Sequence, residues 1–120
     1  MTAIVAVRDL VFRSKILAAA ERIGASVKLA PRGTPLDEAV RALGPGTLIV
    51  DLAEPGVVEQ IGLAKAAGAT RVLGYAGHLA EDLMARAREA GADEVLSRGQ
   101  FAQRLEGLLL DAGEAGQPKA

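Results

Sequence analysis

Short apolar runs alternate five times with longer segments in which apolar residues recur every three or four positions. Val5 and Val7, Val27 to Ala30, Leu48 to Val50, Val72 to Tyr75, and Val95 to Leu96 predict five strands. Several lack polar alternation, as expected of strands covered by helices on both faces of a sheet. The segments between and after them predict five helices. Ile16, Leu17, Ala20 and Ile23 share one face of the first, Leu36, Val40 and Leu43 of the second, and Val57, Val58, Ile61 and Ala64 of the third. Leu83, Met84, Ala87 and Ala90 do so in the fourth, and Phe101, Leu105, Leu108 and Leu109 in the fifth. Strict alternation of strand and helix implies parallel strands joined by right-handed crossovers, hence an α/β domain with a five-stranded sheet between two helical layers.

The joints between elements repeat. "RIGASV", "AAGATRV" and "EAGADEV" each place a glycine just before a strand, so Gly24, Gly68 and Gly91 are read as helix terminators in the left-handed conformation. "GPG" at 44 to 46 is assigned the same task. In "PRGTPLDEAV", Thr34 is placed as a helix cap, Pro35 in the first turn, and Asp37 and Glu38 where they favour the helix dipole.

Composition narrows the function. The 120 residues suit one domain, with half of them hydrophobic. A formal net charge of -1 gives no global field to attract nucleic acid or an anionic membrane. The chain has no cysteine, which excludes disulfides, thiolate metal sites and cysteine nucleophiles. One Tyr, two Phe and no Trp disfavour stacking on bases or flavins. "MTAIVAVRDL" is too short an apolar stretch for a signal-peptide core and is broken by Arg8 and Asp9, so a cytoplasmic location is expected.

In sheets of this kind the site lies beyond the carboxyl ends of the strands, where strand order reverses. Those ends carry Arg8 and Asp9, then Asp51, then Ala76, Gly77 and His78, then Ser97 and Arg98. "LIVDLAEP", an apolar run closed by a carboxylate with a proline four residues on, and "AGADEVLSR" resemble the receiver domain of bacterial two-component response regulators, over residues 3 to about 112. The resemblance implies a CheY-like, flavodoxin-like three-layer sandwich of (βα)5 form, strand order 2-1-3-4-5. The domain then spans 1–112, with 113–120 a disordered tail. In the family an acidic pair after the first strand and a phosphoacceptor aspartate hold Mg²⁺, a Ser or Thr ends the fourth strand, and a Lys ends the fifth. By position these fall on Arg8 with Asp9, on Asp51, on Ala76 and on Arg98.

Several of those parts differ. Arg8 brings a cation where an acid should help hold Mg²⁺, which needs hard oxygen ligands. Ala76 has no hydroxyl, and Val95 stands where the family has a movable aromatic. Arg98 keeps a positive charge in a planar fork. Asp51 is therefore expected to pair with Arg8 or Arg98 by charge-assisted hydrogen bonds, with no metal and no cofactor. Mg²⁺ enters only under the alternative, in which a histidine kinase still phosphorylates Asp51. The expected function is that of a degenerate receiver, not an enzyme, acting through a protein partner or a second copy of itself. A small-molecule site at the switch point is a third reading. His78 reads as a solvated loop residue and Ser97 as half of a polar pair closing a strand. "LLL" at 108 to 110 leaves one leucine beyond what the core stripe needs, so Leu110 is assigned to an interaction face.

Overall fold

The computed structural model describes residues 2–77 and 79–115, side chains to Asp111. Ten elements alternate: β1 (Ala3–Ala6), α1 (Leu10–Ile23), β2 (Val27–Leu29), α2 (Leu36–Leu43), β3 (Gly46–Asp51), α3 (Val57–Ala66), β4 (Ala69–Ala76), α4 (Glu81–Ala90), β5 (Glu94–Ser97) and α5 (Arg98–Ala115). The strands pair in parallel in the order β2-β1-β3-β4-β5, the flavodoxin-like arrangement. Helix α5 continues past the expected domain limit at residue 112, and residues 116–120 lie outside the described residues.

Register sorts the side chains into two half-cores. Val5, Ile49 and Leu73 lie side by side across three strands and pack with Phe12 and Ile16 of α1 and with Phe101, Leu105, Leu108 and Leu109 of α5. One position along, Leu48 and Val72 face the other way, into α2, α3 and α4 through Leu36, Val40, Ile61 and Ala87. Alternation along each strand therefore fills both layers. The strands have no polar face because water touches neither side of the sheet.

The stripe of α1 runs through Phe12, Ile16, Ala19 and Ala20, while Leu17 is 37% exposed. Two adjacent helical positions point about 100° apart, so Ile16 and Leu17 cannot both face the sheet centre. Gly24 and Gly91 do terminate α1 and α4 with positive φ, and Gly68 follows the α3 cap in the same region. Gly44 differs. Its φ is -95°, and it is needed for close approach, since a Cβ there would sit 2.7 Å from the Val40 carbonyl oxygen. The cap of α2 is Pro35, not Thr34, and no side chain of its own caps that helix. Gln60 of α3 does so from outside, its Oε1 accepting the Leu36 N–H at 2.7 Å. No described helix is long and apolar enough to cross a membrane.

Candidate functional site

The carboxyl ends of β1, β3, β4 and β5 meet at one end of the sheet, so the predicted residues come within one neighbourhood. Their pairings differ from those expected. Asp9 is the N-cap of α1, and its Oδ1 accepts the N–H groups of Val11 at 2.9 Å and Phe12 at 3.2 Å. An aspartate before a helix naturally turns back to satisfy the first free N–H groups. One of its oxygens is thereby committed to structure.

Arg8 does not pair with Asp51. Its backbone N–H donates to Glu54 Oε2 at 2.9 Å, and its Nε lies 3.8 Å from Glu54 Oε1, with the guanidinium half exposed. Glu54 sits in the loop after β3, three residues past Asp51, and is the nearer acceptor for both groups of Arg8. Burial raises the Glu54 carboxyl above its ordinary value; the Arg8 N–H bond opposes this, and the Asp51 charge adds to it. Arg8 thus supports a crowded acid beside the aspartate. Glu54 went unassigned in the sequence because nothing in "DLAEP" marks it except proximity to Asp51.

Arg98 does not pair with Asp51 either. It is the first residue of α5, and its guanidinium carbon lies 5.7 Å from the centroid of the Phe12 ring. Planar and weakly hydrated, a guanidinium sits well on an aromatic face. Ser97 is the cap of that helix: its Oγ accepts the Gln100 N–H and Gln100 Oε1 accepts the Ser97 N–H, each at 3.1 Å. Ser97 thus pairs with Gln100 in a reciprocal capping box, and not with Arg98 as half of a polar pair closing the strand.

Asp51 is 6% exposed. Its Oδ1 accepts the Ala53 N–H at 3.0 Å in a local turn, and among the described residues no cation lies within ion-pair distance of it. The expected salt bridge is therefore replaced by a backbone bond. Among the described residues, no three acids or histidines converge as a metal cluster would require.

Ala76 faces the α4 layer, buried with Val95, so neither position offers a hydroxyl or a movable ring. The polar group that does stand beside Asp51 is Tyr75. The two are direct register partners on β3 and β4, on the face that packs against α1 and α5. Tyr75 is fully buried, its ring between Phe12 and Phe101 with centroids at 4.6 and 4.8 Å, and its hydroxyl has no hydrogen-bond partner. Sequence reading took Tyr75 only as strand core, because strand register is not written in a single sequence. A separate cleft of about 110 Å³ lies beside the site, lined by Arg8, Arg32, Thr34, Glu54 and Gln60 among others, and Asp51 does not line it. His78 lies outside the described residues.

No family model matches the sequence, and no curated protein matches it significantly. Solved structures do. The signal receiver domain of the putative response regulator NarL from Mycobacterium tuberculosis superposes with a TM-score of 0.76 at 22% identity, over 97% of each chain. A response regulator from Hahella chejuensis gives a TM-score of 0.81 at 14% identity, over 98% of each. The receiver domain of NtrC4, solved as a beryllofluoride-activated dimer, gives 0.70 at 20% identity, over 93% of this chain and 99% of that one. At such identities the likeness establishes a shared fold, that of receiver domains.

Proposed function

We propose that this chain is a receiver-type signalling domain that works by protein contact and does not depend on Mg²⁺-assisted phosphorylation of Asp51. The observation that carries this reading is the dispersal of the pocket's oxygen ligands. Asp9 caps its own helix, Arg8 occupies the place of a second acid, and Glu54 is engaged by Arg8. A small ion that demands near-octahedral oxygens would find no cluster of three acids among the described residues.

Acetyl phosphate with Mg²⁺ should therefore add no phosphoryl mass to the intact protein. Nor should it change the ultraviolet spectrum of Tyr75, the chain's one tyrosine in a protein without tryptophan. An adduct of one phosphoryl group that disappears in Asp51→Asn overturns the reading. That result would establish the second one, a working phosphoacceptor, which one observation favours: Asp51 is held by a backbone N–H and by no described cation.

The contact surface in this reading is the face of α4, β5 and α5 that includes Leu110. Leu108 and Leu109 are buried, whereas Leu110 is 51% exposed. Three consecutive helical residues cannot all face the sheet, so the third leucine is available to a partner. Leu110→Glu should abolish capture of that partner, whether another protein or a second copy, while Asp51→Asn leaves it intact. Unchanged binding by a folded Leu110→Glu protein would move the surface elsewhere.

A further inference from the structure

We propose that the cleft over the carboxyl ends of β1, β2 and β3 is a binding site for a small aliphatic carboxylate, gripped by the guanidinium groups of Arg8 and Arg32. In open parallel sheets a ligand seats beyond the carboxyl ends of the strands where their order reverses, and in the order β2-β1-β3-β4-β5 that place lies between β1 and β3. The cleft is there. It is walled by the loops that follow β1, β2 and β3, holds about 110 Å³, and leaves Asp51 outside. Ordinary ligand pockets begin at about 300 Å³, so the occupant is a molecule of a few non-hydrogen atoms and neither a nucleotide nor a flavin.

Local structure sets the donors. Arg32 is the second residue of a tight turn closed by the Thr34 N–H on the Pro31 carbonyl at 3.1 Å, and Gly33 supplies the positive φ, 81°, that a type II turn requires at its third residue. The turn holds exposed Arg32 against the cleft, and among the described residues no acid lies within ion-pair distance of it. Arg8 lines the cleft from the loop after β1. Its short contact with Glu54 is made by the backbone N–H, while its half-exposed guanidinium reaches Glu54 only at 3.8 Å and keeps donors to spare. Gln60 adds a neutral donor: its Oε1 is committed to the Leu36 N–H at 2.7 Å, which fixes the amide and leaves its NH₂ group without a partner among the described residues.

Charge and shape choose the ligand. Two guanidinium groups against the Glu54 carboxylate leave the lining with a formal charge of +1, which one monoanion neutralises. Burial raises the Glu54 carboxyl, while the Arg8 and Arg32 charges both act to lower it, so both cations lie near the one acid. Asp37, in the first turn of α2, is taken up by Arg41 and does not line the cleft. A carboxylate presents two coplanar oxygens that match a guanidinium fork. Val7, Leu36 and Val57 line part of the remainder, an apolar wall suited to one or two carbons and unsuited to the further oxygens of a phosphate. The site stands apart from Asp51 and does not rest on how the domain signals.

Propionate is the probe. Titrated as its sodium salt into the intact chain at fixed ionic strength, it should shift to saturation the backbone amide resonances of Arg8, Gly33 and Leu36 and the side-chain amide of Gln60. Those of Leu105 and Leu108, in the α5 layer, should stay in place. Arg32→Gln, at an exposed turn position, should fold and bind propionate about tenfold or more weakly, the loss expected for one charge-assisted hydrogen bond. Propionamide, of the same shape without the charge, should not bind. The proposal is overturned by the absence of saturable shifts, by shifts that sodium chloride reproduces, by equal binding of propionamide, or by unchanged affinity in Arg32→Gln. Tighter binding of phosphate than of propionate overturns it as well. Should Arg32→Gln fail to fold, the comparison of propionate, propionamide and chloride on the natural sequence decides alone.

Discussion

Phe101→Ala is expected to lower the stability of the domain by about 3–5 kcal/mol, the range for removing a buried aromatic ring and leaving a cavity. Phe101 is 1% exposed, lies against Tyr75 with centroids 4.8 Å apart, and tilts onto Phe12 at 5.9 Å. It touches both the sheet, at Tyr75, and α1, at Phe12. Aromatic neighbours add to the loss, since offset stacking is worth about 0.5–1.5 kcal/mol beyond the area buried. At roughly 4 °C per kcal/mol for a domain of this size, the melting temperature should fall by about 12–20 °C. Urea unfolding followed by Tyr75 emission measures the same loss, because the reporter sits in the stack. A shift below about 1 kcal/mol, the level of a surface substitution, would mean that the stack is not what joins α5 to the sheet.

The fold was legible where periodicity and parallel connectivity act together. Apolar runs without polar alternation marked strands covered on both faces, and five such runs separated by helical stripes left one architecture, which the strand order β2-β1-β3-β4-β5 matches. Errors arose where two neighbouring residues competed for one direction, as with Ile16 and Leu17, or where a distant side chain took over a local task, as Gln60 does in capping α2. The site was less legible. The positions of Arg8, Asp9, Asp51, Ala76 and Arg98 around one end of the sheet followed from topology, but their pairings depended on loop paths. The turn after β3 brings Glu54 to Arg8, and the start of α5 lays Arg98 over Phe12. The link between Asp51 and Tyr75 needed strand register, for which a single chain carries no signal. Ser97 was read as half of a polar pair with Arg98, whereas its capping box with Gln100 explains it without any ligand.

Asp51→Asn should stabilise the protein by about 1–3 kcal/mol at neutral pH, the scale of the penalty for desolvating a polar group that lacks full compensation. An aspartate held in a salt bridge would give the opposite sign, since removing its charge would strand a buried cation. Three facts decide between them. Asp51 is 6% exposed, no cation lies within ion-pair distance among the described residues, and its one hydrogen bond comes from the Ala53 N–H. An asparagine keeps an oxygen for that N–H and its shape in the pocket while removing a negative charge close to Glu54, whose own carboxyl is raised by burial and by the Asp51 charge. The substitution therefore removes one desolvated charge and relieves Glu54 of its neighbour. Arg8→Ala should cost under about 1 kcal/mol, because its guanidinium is half exposed and its contact with Glu54 is long. Paired denaturation curves of the two variants test the electrostatics of the site: destabilisation by Asp51→Asn, together with a loss above about 3 kcal/mol in Arg8→Ala, would restore the buried ion pair. A stabilised Asp51→Asn protein would instead identify Asp51 as a carboxylate kept at some expense to the fold, as residues at working sites are.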